Sequence, residues 1–301
     1  METPITYQDL FLPVEDGQLA IAFCPAAEKF SDQPPIILFH GNGMNGWCHR
    51  RILEDYVGLH PIYLVDFRGH GLSSAPASAD LKNWDVFYAD AEQVLAFASE
   101  RHPDLKPHII AHSLGALVSI EMLNRGFEFT SMNLIEPVLL KPWEVHGVRF
   151  AQKFGQNSDR IRQLNPKVRQ ALKRRSGWAT RGEVEQSYKR KSFFRAFDPQ
   201  VLTDYLDRGL KTVDGKVVLS CTPEFEAQIF HHLDTRVVSK TNIRCPKVTV
   251  IVGETESTTV SKQGRRILAK RFPDALVKNM PDQGHFMPFN VPDQVKALLN
   301  I

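Results

Sequence analysis

Long apolar segments, cysteine clusters and a secretion signal are all missing from this sequence of 301 residues. No hydrophobic run is long enough to cross a bilayer, so we expect no stable membrane insertion. Residues 1–6 lack the basic and apolar regions of a signal peptide, which indicates a cytoplasmic protein. The four cysteines (Cys24, Cys48, Cys221 and Cys245) lie far apart, which predicts free thiols. Because they form no pair with metal-ligand spacing, no metal site is predicted. No cofactor is predicted either.

The net charge is only +3, but the basic residues are unevenly distributed. The stretch from Arg149 to Arg195 contains 14 Lys and Arg residues against three acidic residues, whereas the remainder contains 23 basic and 31 acidic residues. Such a block could attract an anionic substrate or an acidic surface. The alternative, which we favour, is that it forms the solvated outer face of short helices. No nucleic-acid recognition motif accompanies the charge, so no nucleic-acid partner is predicted.

Short apolar runs alternate with segments of helical pattern along most of the chain. Asp16-Gly17 between alternating apolar residues predicts a hairpin over residues 5–25. Buried strands are predicted at residues 36–39, 61–66, 109–110, 132–135, 247–252 and 275–277. Helices are predicted at residues 47–59, 84–101 and 260–272, directly after residue 113, and at the C-terminus. Strands that alternate with helices indicate an α/β fold with a mostly parallel sheet and helices on both faces.

The alternation stops between residues 139 and 235 and then resumes, which indicates an insertion into one α/β unit. The inserted segment is polar, basic and mainly helical in pattern, with one hairpin predicted at residues 212–218. We therefore predict a core formed by residues 1–138 and 236–301.

A strand, a sharp turn and a helix are predicted around Ser113, in the sequence Ala111-His112-Ser113-Leu114-Gly115. This is close to Gly-x-Ser-x-Gly, in which small residues let the strand and the helix approach while a strained turn lifts the serine out of the sheet. Backbone N–H groups at such a helix start can stabilise an oxyanion. An ordinary N-capping serine is the alternative interpretation.

Three polar groups follow the carboxyl ends of predicted strands, where ligands bind in open α/β sheets. They are Ser113, the pair Glu254 and Glu256, and His285. Their order along the chain, serine, acid, histidine, is typical of α/β-hydrolases and differs from the orders found in chymotrypsin and subtilisin.

With these motifs, the chain resembles the capped α/β-hydrolase superfamily. The resemblance covers residues 36–286 and is carried by His40-Gly41-Asn42-Gly43, Asp66-Phe67-Arg68-Gly69-His70-Gly71, residues 111–115 and Gly284-His285-Phe286. It implies that Ser113 is the nucleophile, that His285 is the base, and that the backbone N–H groups of Asn42 and Leu114 form the oxyanion hole. It also implies that residues 139–235 form a helical cap over the strand ends.

The acid of the triad is the open question at this stage. Members of the superfamily commonly carry Gly-Glu-x-Asp after the strand that precedes the acid, and the matching position here is Glu256. Glu256 is therefore the predicted acid. Glu136, at the end of the preceding strand, and Glu254 are the alternatives.

Aromatic and polar residues near the predicted site suggest a substrate pocket. Its candidate residues are His112, Met44, Trp143, Trp178 and Phe286. The alternative is that the aromatic residues of the insertion pack it onto the core. His40 and His70 are expected to shape and brace the loops beside the site.

The predicted activity is hydrolysis of a carboxylic ester of a small to medium apolar substrate, through an acyl-enzyme. A carbon–carbon bond hydrolase with the same triad, or a slow-turnover ligand receptor of the same fold, is the alternative. A serine at the turn argues against haloalkane dehalogenases and epoxide hydrolases, which use Asp there. The partner is expected to be a small molecule, and the protein a monomer or a homodimer.

Overall fold

Strands and helices alternate in the computed structural model, which describes residues 5–74, 81–154, 163–237 and 247–301. In these ranges the strands are β1 (Gln8–Val14), β2 (Gly17–Cys24), β3 (Ile36–Phe39), β4 (Ile62–Val65), β5 (His108–His112), β6 (Ser131–Ile135), β7 (Gly177–Trp178), β8 (Leu210–Val213), β9 (Lys216–Leu219), β10 (Lys247–Gly253) and β11 (Leu276–Met280). The helices are α1 (Asp85–Arg101), α2 (Leu114–Asn124), α3 (Pro142–Phe154), α4 (Pro166–Leu172), α5 (Arg181–Arg190), α6 (Ser192–Arg195), α7 (Pro199–Arg208), α8 (Pro223–His231), α9 (Lys262–Arg271), α10 (Met287–Asn290) and α11 (Pro292–Lys296).

One sheet of eight strands has the order β1-β2-β4-β3-β5-β6-β10-β11. Its strands are parallel from β4 to β11, and β2 joins β4 in the antiparallel sense. The β1–β2 hairpin turns at Asp16 and Gly17, which both have positive φ, as an Asp-Gly turn requires. The predicted mostly parallel α/β fold is therefore confirmed.

Both faces of the sheet are covered. Along β3, Ile37 and Phe39 belong to an apolar cluster that includes the inner sides of α1 and α2. Ile36 and Leu38 point the other way, into a second cluster with residues of α10 and α11. All four residues of β3 are buried, which explains why the run is apolar throughout rather than alternating.

Two predicted helices differ in detail. Residues 47–59 form a 3-10 helix at Trp47–Tyr56 instead of a longer α-helix, and Gly58 follows with a φ of +78°. The C-terminal helix consists of the short α10 and α11, each with a proline in its first turn. Cys24, Cys48 and Cys221 are buried free thiols, while Cys245 lies outside the described residues.

The chain between β6 and β10 contains α3 to α8 and a small sheet with the order β7-β9-β8. The predicted hairpin is confirmed as β8 and β9. The segment contacts the loop after β3 and the 3-10 helix, where the Asn45 amide donates to the Tyr205 carbonyl (3.0 Å) and Arg50 pairs with Asp204 (2.8 Å). Because β3 is parallel to β5, these contacts lie at the carboxyl edge of the sheet, above the strand ends.

None of the helices in the described ranges is both long enough and apolar enough to cross a membrane.

Candidate active site

Ser113 occupies a strained turn between β5 and α2. Its φ of 55° and ψ of −110° lie outside the regions that most residues with a side chain adopt. A Cβ at Gly115 would lie 2.2 Å from the Phe39 carbonyl oxygen, so only glycine lets α2 pack this closely on β3. The turn is held at its other end by Ser113 N–H, which donates to the Ile135 carbonyl (3.1 Å).

His285 lies in the loop between β11 and α10, on the lining of the same cavity as Ser113. Its Nδ1 is 3.1 Å from the Thr259 hydroxyl oxygen and 3.4 Å from a carboxylate oxygen of Glu136. The ring of His112 donates from Nε2 to the His285 carbonyl (2.9 Å), which ties the histidine loop to the residue before the serine. The backbone of His285 is therefore fixed relative to Ser113.

Glu136 ends β6 and is fully buried. Its carboxylate accepts hydrogen bonds from Gly253 N–H (2.6 Å), the Thr258 hydroxyl (2.7 Å) and Thr259 N–H (2.8 Å). Burial by itself would raise the pKa of Glu136, but the bonds from His285 and from the two backbone N–H groups outweigh it and hold the pKa below its ordinary value. The group is therefore a carboxylate at neutral pH, aimed at Nδ1 of the histidine.

The structure does not bring Glu256 to His285, contrary to the sequence-based expectation for the acid. Glu256 and Glu254 are both exposed in the loop after β10. The N–H groups of Glu254 and Thr255 both donate to the Gln283 carbonyl (2.9 and 3.0 Å), and this turn leaves the two glutamates on the solvent side. The carboxylate beside the histidine is that of Glu136, the alternative weighed from the sequence.

Thr258 and Thr259 are site residues that the sequence analysis missed. They lie two and three positions after Glu256, and both contact Glu136, while Thr259 also contacts His285. The two adjacent hydroxyls that follow an acidic turn were the available signal, but two threonines carry little information without a known partner.

The loop after β3 and the start of α2 flank Ser113, and the cavity is lined by both Asn42 and Leu114. Burial lowers the pKa of His70 to about 4, so its neutral ring can accept from Gly43 N–H (3.0 Å). His40 accepts at Nε2 from Phe67 N–H (3.0 Å). These bonds brace the loop whose backbone carries the N–H of Asn42, in agreement with the structural roles expected for His40 and His70.

The cavity beside Ser113 has a volume of about 710 Å³ and mainly apolar walls. Four of the five predicted pocket residues line it: His112, Met44, Trp143 and Phe286. Trp178 does not, because it is 2% exposed and packs inside the segment between β6 and β10, edge-on to Tyr188 at 5.9 Å between ring centroids. Its pairing in β7 with β9 turns the indole into that cluster instead of towards the cavity.

A charged pair lies in the cavity wall, against the loop after β3 at Gly43. Arg174 pairs with Glu226 and also donates to the Tyr205 hydroxyl (3.1 Å). The Asn42 amide donates to the Glu226 carbonyl (3.1 Å), so α8 is joined directly to the loop beside Ser113. Neither partner of the pair is largely exposed, with relative side-chain exposures of 21% for Arg174 and 11% for Glu226.

Replacing Arg174 by Met is expected to lower the free energy of unfolding by about 2–4 kcal/mol, because a mostly buried Glu226 carboxylate loses its cation. The double variant Arg174→Met/Glu226→Gln should recover most of that loss, since no uncompensated charge remains. Urea denaturation of the three proteins measures this, with the exposed Arg175→Met as control at less than about 0.5 kcal/mol. A single variant as stable as the double would contradict the account.

No group of three or more His, Cys, Asp or Glu side chains with the geometry of a metal site occurs within the described ranges.

The chain matches a known protein family and a known relative. A family model described as the alpha/beta hydrolase family matches residues 36–298. The monoglyceride lipase of Mus musculus is 30% identical over 141 residues. That match covers 45% of this chain and 45% of the relative, so this chain spans less than half the length of the mouse protein.

Solved structures resemble the whole chain. E-2-(acetamidomethylene)succinate hydrolase has a TM-score of 0.73 and 17% identity, with 97% of both chains covered. The peroxisomal alpha-beta-hydrolase Lpx1 of Saccharomyces cerevisiae also has a TM-score of 0.73 and 17% identity, covering 99% of this chain and 83% of the other. At such low identity, these likenesses show the fold alone.

Proposed function

Because the chain belongs to the alpha/beta hydrolase family, we propose that it is a serine hydrolase that cleaves a carboxylic ester through an acyl-enzyme. The observation that carries this proposal is the arrangement around one cavity. A strained serine, a histidine and a buried carboxylate follow the ends of β5, β11 and β6, and the serine and histidine line the cavity wall.

The contact of His285 with Glu136, and the cavity that His285 shares with Ser113, support the roles that we assign to the three residues. In this mechanism, Nδ1–H of His285 donates to the Glu136 carboxylate, which fixes the tautomer with a free lone pair on Nε2. Nε2 then accepts the proton of Ser113 as its Oγ attacks the ester carbonyl carbon. The Glu136 carboxylate stabilises the imidazolium that forms, and the N–H groups of Asn42 and Leu114 donate to the oxyanion.

The same groups complete the formation of the acyl-enzyme and then hydrolyse it. His285 gives its proton to the leaving alcohol, and the carbon–oxygen bond of the ester breaks. A water molecule then loses a proton to His285 and attacks the acyl-enzyme, which releases the carboxylic acid and restores the Ser113 hydroxyl.

The cavity supports a substrate with a small to medium apolar group. Its volume of about 710 Å³ and its apolar walls suit an acyl chain or a ring better than a charged group. The mouse relative is a monoglyceride lipase, and a monoglyceride is a carboxylic ester with a single acyl chain. This supports an ester as the substrate class, in preference to a carbon–carbon bond.

We also propose that residues 139–235 act as a cap and that residues 1–138 and 236–301 form the core. Residues of this segment supply much of the cavity wall, among them Trp143, Phe193 and Tyr205. The Trp84 indole N–H on the core donates to the Ile229 carbonyl (3.2 Å), which adds a contact between the two parts at the wall of the cavity. The cytoplasmic location and the monomeric or homodimeric state stay predictions from the sequence.

The proposal is tested by hydrolysis of p-nitrophenyl esters of increasing acyl length, combined with labelling by a fluorophosphonate. We expect turnover that falls beyond a medium chain length, and a single covalent adduct on the peptide that contains Ser113. The adduct reports an activated serine even when the ester is a poor substrate. Folded protein that is neither labelled nor active on any ester would overturn the proposal. An adduct without ester turnover would reject the ester and favour carbon–carbon hydrolysis.

A further inference from the structure

Large apolar side chains are exposed along one side of α3. Trp143 is 67% exposed, Phe150 is 52% and Phe154 is 51%. They are seven and four residues apart in sequence, and at 3.6 residues per turn this spacing places all three on one stripe of the helix. The rings of Phe150 and Phe154 lie 4.8 Å apart between centroids. An amphipathic helix usually buries such a stripe, but this one faces solvent.

The stripe continues into the mouth of the cavity. Trp143 and Phe150 line the cavity, and so do Leu164, which is 64% exposed, and Phe193, which is 42% exposed. We call the five residues Trp143, Phe150, Phe154, Leu164 and Phe193 the apolar rim. An exposed set of this size, contiguous with a cavity that leads to Ser113, is typical of a binding surface.

Lysines stand beside the apolar rim. The ammonium group of Lys141 lies 5.9 Å from the centroid of the Trp143 ring, and that of Lys153 lies 5.4 Å from the Phe154 centroid. Lys167 and Lys191 line the cavity itself and are exposed.

The carboxylates near the rim do not balance these four lysines. Of the two carboxylates in the described lining of the cavity, Glu226 is paired with Arg174, and Glu144 accepts from the N–H of Lys141 but keeps its single negative charge, so the four lysines remain in excess. Aromatic side chains interleaved with exposed cations are suited to bind an anionic lipid surface. The rings can enter the boundary between the headgroups and the acyl chains, while the ammonium groups reach the phosphates.

We propose that the apolar rim and its four lysines form a docking surface for an anionic phospholipid bilayer. The surface binds reversibly and in the plane of the headgroups, because α3 has only 13 residues and carries charges on its flanks. Docked in this way, the cavity mouth faces the acyl chains, so that an amphiphilic molecule can pass from the lipid into the cavity. This goes beyond the proposed ester hydrolysis, because docking does not require Ser113.

Trp143 provides a direct probe of docking. The chain has four tryptophans, and of these Trp84 and Trp178 are 2% exposed and Trp47 is partly buried. Addition of vesicles of equimolar phosphatidylglycerol and phosphatidylcholine should therefore shift the tryptophan emission to shorter wavelength. The shift should be absent from Trp143→Phe, which keeps the apolar ring but removes the fluorophore. Pure phosphatidylcholine vesicles should bind roughly tenfold or more weakly, and added salt should weaken binding to the anionic vesicles.

Sedimentation with the same vesicles separates the two parts of the surface. The double variant Phe150→Ser/Phe154→Ser should bind at least about tenfold more weakly, because both rings lose their place in the lipid. The variant Lys141→Gln/Lys153→Gln should keep its weak binding to neutral vesicles but lose most of the preference for anionic ones. Phe11→Ser is the matched control, since Phe11 is 49% exposed on the edge strand β1 and lies outside the rim. It should bind like the wild type.

Several results would overturn the proposal. These are no binding to anionic vesicles, equal binding to neutral ones, or a loss with Phe11→Ser as large as with the rim variant. A change of oligomeric state in Phe150→Ser/Phe154→Ser without a change in vesicle binding would instead assign the rim to contact between copies of the chain. Binding that persists in Ser113→Ala is expected, and this separates docking from catalysis.

Discussion

Replacing Glu136 by Gln is expected to lower kcat on the best p-nitrophenyl ester by about 10³–10⁴-fold. Glutamine keeps the shape of the side chain but has no charge to stabilise the imidazolium of His285. Its amide NH2 would also face donors, since Gly253 N–H, Thr259 N–H and the Thr258 hydroxyl all point at the carboxylate. The histidine would then lose both its stabilising charge and the acceptor that selects its tautomer.

The measurement pairs this variant with Glu256→Gln, in which the same substitution is made on an exposed side chain. We expect Glu256→Gln to stay within about twofold of the wild-type kcat, as is usual for surface substitutions. Glu136→Gln should also lose about 1–3 kcal/mol of stability, because buried donors lose their acceptor. The kinetics must therefore be recorded under conditions in which urea denaturation shows that the variant is folded. A large kcat loss in Glu256→Gln with none in Glu136→Gln would restore the sequence-based assignment of the acid.

The sheet was predictable because its signals are local. The β1–β2 hairpin needed only Asp16-Gly17 and alternating neighbours, and β3 needed only four consecutive apolar residues. The sharp turn at Ser113 was predictable for a steric reason, because Gly115 tolerates no side chain against Phe39. These features depend on residues adjacent in sequence or on packing that forces one residue type.

The acid of the site was harder to predict because its position depends on distant hydrogen bonds. Glu136 meets His285 across 149 residues of sequence, and Gly253 N–H meets Glu136 across 117. A match to a loop pattern favours Glu256, but the path of the loop is decided by Gln283, which accepts from two successive N–H groups. The sequence of residues 253–259 by itself does not predict that turn.

The residues that line the pocket were also hard to predict from the sequence. Trp143 and Trp178 both belong to polar, basic surroundings of the inserted segment, and composition does not separate them. Trp143 is 67% exposed at the cavity, whereas Trp178 is 2% exposed in a separate cluster. The difference arises from a two-residue strand, β7, which is too short to show a period in sequence.

Replacing Ser113 by Gly is expected to abolish ester hydrolysis and at the same time to stabilise the fold. Loss of the nucleophile should lower kcat by at least about 10⁴-fold in both Ser113→Gly and Ser113→Ala. The two variants should differ in stability. At a φ of 55° and a ψ of −110°, a side chain costs about 1–3 kcal/mol, and glycine removes that strain while alanine keeps it. Part of this gain is offset by the greater flexibility of glycine in the unfolded chain, so we expect Ser113→Gly to exceed Ser113→Ala by about 1 kcal/mol.

The same substitution elsewhere supplies the control. Ser119 lies inside α2 and its hydroxyl donates to the Gly115 carbonyl (2.8 Å), so Ser119→Gly should destabilise by about 1 kcal/mol. Thermal and urea denaturation of the three variants would measure this. We expect the serine-to-glycine change to raise the free energy of unfolding at residue 113 and to lower it at residue 119, only six residues away. Equal losses at both positions would mean that the turn at Ser113 stores no strain. A gain at Ser113 alone would show that the fold holds this serine in an unfavourable conformation, and such strain is common where a side chain that lines a cavity has a chemical role.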